Sequence, residues 1–312
     1  MPGCLLVAAA VAAVLGPHAV TFVDAGSGSV ARSARLPADG LAVFAAPDGR
    51  AVVPLSAEDA TAVVDTSGKV ESWPGRLFPL FFADFDRMHA VLPGALVTLS
   101  YPERVQVARL PLAGVPGARR AACSADGRLV AIVPAAPGVN ALVLVAALEG
   151  GDTSRVELDG DATAVALHPE GAFALTATGG GVVEVAGEGR SRPLGMIDLG
   201  GEVRALAFTA DGRGALAGCA NGSAGAIVGI RVDPAAKSPL KERFRTPLPR
   251  GVVAVAAGED EVVALTDDTL VVLSADGKRV RRRIAVAGGT DVALLPTRPR
   301  SAVPAWSDRK GP

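Results

Sequence analysis

A short polar turn recurs along this chain of 312 residues, and its regular return limits the fold more than any other feature does. Three copies contain Asp-Gly-Arg and a weaker fourth reads His-Pro-Glu-Gly; they occupy residues 48–50, 126–128, 211–213 and 168–171. Each copy lies between two short apolar runs, as expected of a β-hairpin whose tight turn needs a residue with positive φ. One structural unit repeated along a chain indicates a solenoid or a propeller.

The spacing of the turns fits a β-propeller. With weaker hairpin tips included, successive markers are 37 to 48 residues apart; they are Asp48, Phe85, Asp126, Glu170, Asp211, Glu259 and Arg298. A propeller blade of four strands takes about 40 to 45 residues. No stretch shows convincing helical periodicity with caps. The sequence therefore predicts an all-β chain that forms a seven-bladed β-propeller of four-stranded antiparallel blades.

The two ends of the chain are expected to share one blade of a single domain that spans residues 1–312. We expect blades near residues 38–76, 77–114, 115–161, 162–201, 202–250 and 251–289, and a last blade of residues 290–312 completed by 1–37. Few residues follow the last marker, whereas the N-terminal region offers outer strands without a first strand. Pairing the two ends would cover edge strands that otherwise invite aggregation.

Charge and cysteine content exclude several classes of protein. The 31 Lys and Arg residues nearly balance the 32 Asp and Glu residues, for a net charge of −1, so no global field attracts nucleic acid. We therefore expect no nucleic-acid partner. The three cysteines, Cys4, Cys123 and Cys219, are widely spaced without a CxxC pair, and we expect buried, unreactive thiols.

The apolar segment of residues 4–15 allows two interpretations. It is too short to span a bilayer, so we expect no membrane span. In the first interpretation, residues 11–23 form strand structure that resembles residues 262–273, and the chain is cytoplasmic; we favour this interpretation. As a secretory signal it would indicate an extracytoplasmic protein, although Met1-Pro2-Gly3 lacks the basic residue with which such signals begin.

Two segments carry a resemblance to a known family. Residues 203–213 and 165–171 resemble the inner strand and hairpin of WD-repeat and YVTN-type β-propellers, and the Val23-Asp24 and Val64-Asp65 endings resemble the third strand of the YVTN class. The resemblance covers essentially the whole chain and is architectural, because the Gly-His and Trp-Asp signatures of true WD repeats are absent. It implies a propeller that serves as a rigid interaction platform. Some such propellers are enzymes, and the fold alone does not decide the function.

Four carboxylates are predicted at one mouth of the central channel. Asp39, Asp161, Glu202 and Asp291 each fall just before or at the start of an innermost strand. Such a ring could bind Ca²⁺ through oxygen ligands and polarise a lactone or ester carbonyl, as propeller lactonases do. The alternative is that these acids are ordinary loop residues.

A broader acidic rim is predicted on the same face. Its turns also carry five more acids, namely Glu58, Asp59, Asp159, Asp267 and Asp268. Five arginines oppose the nine acids, namely Arg76, Arg119, Arg120, Arg204 and Arg250. An acidic rim would steer a basic protein segment toward the face. The leading hypothesis is a monomeric, non-enzymatic platform for a protein partner, without a cofactor; the alternative is a lactonase-type hydrolase with calcium at Asp39, Asp161, Glu202 and Asp291.

The remaining motifs favour structural roles. His18, His89 and His168 fall in three different units, which does not predict a multi-histidine copper or zinc site. Gly179-Gly180-Gly181 lies between two apolar strands with no following helix, so we expect a hairpin loop rather than a nucleotide cradle. The basic run of residues 278–283 suits a polar outer strand, with an anion-binding patch as the alternative. Residues 234–240 are expected to form an inserted loop, a common place for partner contacts.

Overall fold

The chain is an all-β propeller. In the computed structural model, residues 11–82, 86–136, 138–147, 151–178, 180–187 and 189–296 are described. Within these ranges there are 28 strands in seven four-stranded antiparallel sheets, and no helix. The predicted seven-bladed fold is therefore confirmed. None of the described residues forms a helix long and apolar enough to cross a membrane.

Within blades 1 to 6, the four strands are arranged in chain order from the innermost to the outermost. The N-terminal region forms β1 (Val11–Gly16), β2 (Ala19–Asp24) and β3 (Val30–Arg35). Blade 1 contains β4 (Phe44–Ala45), β5 (Ala51–Pro54), β6 (Ala60–Val64) and β7 (Val70–Pro74). Blade 2 contains β8 (Leu80–Phe82), β9 (Arg87–Leu92), β10 (Ala95–Ser100) and β11 (Gln106–Pro111). Blade 3 contains β12 (Ala118–Cys123), β13 (Leu129–Pro134), β14 (Ala141–Ala146) and β15 (Thr153–Glu157).

Three further blades and one closing strand complete the ring. Blade 4 contains β16 (Ala162–Leu167), β17 (Phe173–Thr178), β18 (Val182–Gly187) and β19 (Gly195–Asp198). Blade 5 contains β20 (Glu202–Phe208), β21 (Gly214–Asn221), β22 (Ala224–Val232) and β23 (Leu240–Leu248). Blade 6 contains β24 (Val252–Ala257), β25 (Glu261–Thr266), β26 (Thr269–Ser274) and β27 (Val280–Ala285). The last strand, β28 (Asp291–Leu295), joins β1, β2 and β3 in the closing blade.

The closing blade joins the two ends of the chain in one sheet, as predicted. Strand β28 pairs antiparallel with β1, with Ala293 opposite Ala13 and Val292 opposite Val14. Just before β28, the Thr290 amide donates to the Leu15 carbonyl at 2.7 Å. Residues 11–16 are thus a strand inside the ring, whereas residues 4–10 of the ambiguous apolar segment lie outside the described residues.

The core lies between neighbouring blades and is built from small aliphatic side chains. In the middle strand β17, Leu175 and Ala177 pack toward blade 5, while Ala174 packs toward blade 3. All three are fully buried. A strand covered on both faces buries nearly every side chain, so the middle strands appear in the sequence as largely apolar runs, with a few buried polar residues such as Thr176.

The recurring hairpin turns lie on one face of the ring, here named the lower face, where the innermost strands end. In the blade 5 turn, the Thr209 hydroxyl donates to Asp211 Oδ1 at 2.7 Å, and the Arg213 amide donates to the same oxygen at 3.1 Å. Ser124 with Asp126 and Ser274 with Asp276 repeat the hydroxyl contact. In these three turns a Ser or Thr stands two residues before the aspartate, whereas the blade 1 turn has Ala46 before Asp48. The aspartate is a turn-forming residue in each.

The opposite face, named the upper face, carries the loops between blades and the turns between second and third strands. Gly180 and Gly181 form part of such a turn between β17 and β18 and have φ values of 91° and 92°. A strand follows them, which agrees with the predicted hairpin loop; Gly179 lies outside the described residues. A Cβ atom on Gly181 would overlap the carbonyl oxygen of Gly201, whereas one on Gly180 would have no described atom within 4 Å apart from its chain neighbours.

These two glycines allow a matched test of blade packing. Gly180→Ala introduces a side chain at positive φ in open space, and we expect a loss of about 1 kcal/mol in the free energy of unfolding. Gly181→Ala adds a clash with backbone that cannot rotate away, and we expect a loss of about 3 kcal/mol or more. Urea denaturation of both variants measures the difference, and equal losses would contradict the close approach of Gly201.

Candidate functional site

The structure places all nine predicted acids on the upper face. Loops between blades carry Asp39, Asp159 and Asp161, and the first positions of β20 and β28 are Glu202 and Asp291. Turns between second and third strands carry the other four, namely Glu58, Asp59, Asp267 and Asp268. Antiparallel order within each blade sends these two kinds of connection to the same end of the channel.

Three of the four predicted channel-mouth carboxylates contact nearby basic residues. Asp161 pairs with Arg119 (3.4 Å) and Glu202 pairs with Arg204 (2.7 Å), while Asp39 lies 3.2 Å from the His18 ring, which carries a charge only when protonated. Both members of each contact are substantially exposed, so each contact adds little to stability. The effect of the two arginine pairs is mainly to cancel charge at the mouth.

Asp291 is held by backbone groups instead. Its Oδ2 accepts the Val43 amide at 3.0 Å, and its Oδ1 accepts the Val292 amide at 2.9 Å. Burial raises the pKa of Asp291 to about 6, although the two amides and the charge of Arg120 oppose that shift. Through these two bonds, the Asp291 carboxylate connects β28, the innermost strand of the closing blade, to the segment that leads into β4 of blade 1.

The structure does not bring the four carboxylates together as the calcium alternative requires. Throughout the described ranges, no group of three or more His, Cys, Asp or Glu residues is arranged to hold a metal ion. The reason is geometric, because Asp39, Asp161, Glu202 and Asp291 start from different positions around the channel and each has a nearer partner. A preformed carboxylate cage is therefore absent from the described part of the mouth.

The negative charge of the rim is concentrated over three neighbouring blades. Blade 6, the closing blade and blade 1, with the loops that join them, hold six acids of the rim, namely Asp39, Glu58, Asp59, Asp267, Asp268 and Asp291. Only two arginines of the predicted set, Arg76 and Arg250, lie beside these six, together with His18. We call this region the acidic sector. Blades 3 to 5 hold the other three predicted acids and three of the predicted arginines, so positive and negative charges are equal in number on that side of the mouth.

The contacts inside the acidic sector leave several carboxylates without a cation. Arg250 pairs with Asp268 at 2.9 Å. The Arg76 amide donates to Asp59 Oδ1 at 2.9 Å, but the Arg76 guanidinium donates to the Ser56 carbonyl. Among the described residues, Glu58, Asp59 and Asp267 form no salt bridge.

Sequence reasoning missed a buried carboxyl below the upper face. Glu184 of β18 is fully buried, and its Oε1 accepts the Asp159 amide at 3.3 Å. No described residue forms a hydrogen bond with its Oε2 or with the hydroxyl of Thr176, directly opposite on β17. Burial raises the pKa of Glu184, and the charge of Asp159 raises that pKa further. The sequence signal for this buried carboxyl is a single Glu between Val183 and Val185 in an otherwise apolar run.

The histidines and the described cysteines lie apart from one another. His89 is fully buried; its ring contacts the Thr98 hydroxyl and the Gly127 carbonyl, both at 3.0 Å, and burial lowers its pKa. His18 lies on the upper face and His168 on the lower face. Burial raises the pKa of Cys123 to about 12 and that of Cys219 to about 11, which keeps both as thiols. Cys4 lies outside the described residues.

Comparisons with known proteins define the class of fold. No family model matches the chain, and no curated protein matches it. A functionally unknown protein from Desulfotomaculum acetoxidans DSM 771 is similar, with a TM-score of 0.72 and 15% identity over 91% of this chain and 98% of that one. The similarity is in the fold.

Two further solved structures are similar in fold. The Cps50 (Swd1) β-propeller domain of Myceliophteria thermophila matches with a TM-score of 0.60 and 12% identity, over 80% of this chain and 86% of that one. A chain of the Mitotic Checkpoint Complex matches with a TM-score of 0.61 and 10% identity, over 80% of this chain and 78% of that one. The comparisons thus agree with a seven-bladed β-propeller, the architecture that the resemblance implied.

The buried Glu184 predicts a pH-dependent stability. Because its pKa is raised above the ordinary 4.5, the unfolded chain releases this proton at a lower pH than the folded protein does. This group therefore destabilises the fold progressively as the pH rises above about 4.5. We expect Glu184→Gln to raise the melting temperature at about pH 8 and to have little effect at about pH 4. The exposed Glu157→Gln is the control, and an equal effect of both variants would contradict the assignment.

The pairing at the channel mouth predicts no preformed calcium site. We expect added Ca²⁺ to leave the melting temperature unchanged, because a ligand raises it only when the folded state binds that ligand. Differential scanning fluorimetry with and without calcium measures this. An increase that disappears in the double variant Asp161→Asn, Glu202→Gln would restore the lactonase-type alternative.

Proposed function

We propose that this protein is a non-enzymatic interaction platform whose acidic sector receives a basic segment of a partner protein. Lys and Arg side chains of the partner would contact Glu58, Asp59 and Asp267 over blade 1 and blade 6. The observation that carries the proposal is the uneven charge of the upper face, where the sector across the closing blade keeps exposed carboxylates without cations.

Backbone hydrogen bonds hold these carboxylates in place before any partner arrives. The Asp59 carbonyl accepts the Gly75 amide at 2.8 Å, which ties its turn to the loop that leaves blade 1. The Asp267 and Asp268 carbonyls accept the Gly288 and Val286 amides at 3.1 and 2.9 Å. Side chains on ordered turns lose less conformational freedom on binding, which supports a platform role.

The balanced side of the mouth adds a constraint on the partner. Among the described residues, the guanidinium of Arg120 on β12 donates to backbone carbonyls, those of Thr163 at 3.2 Å and Arg119 at 3.0 Å, and it forms no salt bridge. Its charge acts on Asp291 and can also attract an acidic group of a partner. The partner segment would carry basic residues where it contacts the acidic sector and no basic residue where it contacts blade 3. A basic residue beside Arg120 would place like charges across the interface, which is costly.

The similar folds support an interaction role without naming a partner for this chain. One similar structure is a chain of the Mitotic Checkpoint Complex, so a propeller of this architecture occurs in that assembly. Identities of 10 to 15% extend to the fold alone. The proposal for this chain therefore depends on its own surface charges.

A charge-reversal experiment tests the proposal. The probe is a fluorescein-labelled peptide of alternating lysine and glycine, and the readout is fluorescence anisotropy. We expect the double variant Glu58→Lys, Asp267→Lys to bind it at least about tenfold more weakly than the native protein. Binding to the native protein should weaken with added salt, because the contacts are exposed.

A matched control separates the acidic sector from overall charge. The double variant Glu103→Lys, Glu170→Lys makes the same change of net charge at exposed positions on the lower face. We expect this control to bind the peptide nearly as well as the native protein. Equal weakening in both variants, or no binding by the native protein, would refute the sector as the binding surface.

A further inference from the structure

A groove lies on the lower face between blade 5 and blade 6, away from the acidic sector. Its volume is about 570 Å³, which is within the range of ligand-binding clefts. Its walls are the hairpin turn between β20 and β21, the lower parts of β22 and β23, and two turns of blade 6. The groove is open at the surface, so an extended chain has access to it.

The floor of the groove is apolar because of a local irregularity in β23. Glu242 pairs with Ile230 and Phe244 pairs with Gly229, so Arg243 is an extra residue at a β-bulge. A Cβ atom on Gly229 would overlap the Phe244 ring, so the ring lies directly over this glycine. The bulge thus turns Phe244 inward over the strand and leaves Arg243 exposed at the edge.

The rim of the groove carries two arginines that form no salt bridge. Arg213 and Arg243 are both exposed, and neither pairs with an acid of any described residue. Lys278 lies 5.8 Å from the centre of the Phe244 ring and pairs with Asp276 at 3.6 Å. Three acids also line the groove. Asp211 and Asp276 each accept a nearby hydroxyl and a backbone amide of their own turn, and Glu259 is exposed.

The outer end of the groove continues into the basic run found in the sequence. A neighbouring concavity shares Lys278 with the groove and adds Arg279 and Arg281. On β27, the Arg281 and Arg282 guanidinium groups donate to backbone carbonyls of Asp260 and Ser27. Neither arginine forms a salt bridge within the described ranges, so the strand keeps its positive charge.

We propose that this groove binds an acidic segment of a partner protein, with one apolar side chain over Phe244 and carboxylates on Arg213, Arg243 and Arg279. An acidic peptide fits better than a nucleic acid for two reasons. Phe244 is the only aromatic ring among the groove residues, whereas single-stranded nucleic acids stack successive bases on several rings. The net charge of −1 provides no general attraction for a polyanion of high charge density.

Binding of defined peptides tests this groove independently of the upper face. The first probe is a fluorescein-labelled peptide of alternating glutamate and leucine, and the second replaces every leucine with glycine. We expect the glutamate–leucine peptide to bind, and the glutamate–glycine peptide to bind about tenfold more weakly because it leaves the apolar floor uncovered. Equal binding of the two peptides would overturn the role of Phe244.

Charge reversal at the rim provides the second arm of the test. We expect the double variant Arg213→Glu, Arg243→Glu to bind the glutamate–leucine peptide at least about tenfold more weakly than the native protein. The control is Arg109→Glu, Arg155→Glu, which reverses two exposed arginines on the outer strands of blades 2 and 3. Melting temperatures of both variants establish that they are folded.

A nucleic-acid competitor decides between the two classes of polyanion. A labelled single-stranded oligonucleotide is titrated under the same conditions. The proposal is overturned if the oligonucleotide binds with the same dependence on Arg213 and Arg243 while the peptide does not, or if the double variant and its control bind the peptide equally. Loss of binding to this groove leaves the lysine–glycine peptide result on the upper face unchanged, so the two proposals fail separately.

Discussion

Pairing of β28 with β1 is the interaction on which the rest of the structure depends. It joins the two ends of the chain in one sheet, and the ring of seven sheets has no open side as a result. The same pairing creates the acidic sector, because it forms the closing blade that lies between blade 6 and blade 1. The Asp291 carboxylate and the Val43 amide, separated by 248 positions, meet at this junction.

The two faces of the ring use acidic residues differently. On the lower face, Asp211 and Asp276 bind hydroxyl and amide groups of their own turns, which lowers their pKa values and makes them part of the fold. On the upper face, the side chains of Glu58 and Asp267 are exposed and have no such partners among the described residues. Acids engaged in turns are poor recognition groups, whereas unpaired acids on ordered turns suit the binding of a partner.

The fold was predictable from local patterns, and the charge distribution was predictable only in outline. The Asp-Gly turns and apolar runs indicate hairpins and buried strands directly, and their period indicates blades. The placement of Asp39 and Glu202 on one face follows from blade topology. Their pairing with His18 and Arg204 does not, because it depends on loop conformations. Glu184 was missed since its burial arises from packing against blade 3.

The sequence by itself determined the number of blades, the shared closing sheet and the face on which each turn lies, because hairpin chemistry and hydrophobic runs act over short distances. The tertiary structure alone decided which charges remain unpaired and where an apolar floor is exposed. The Arg243 bulge and the stacking of Phe244 over Gly229 depend on strand register, which no local pattern in this chain reveals. Charge pairing across loops likewise depends on distances set only when the ring closes.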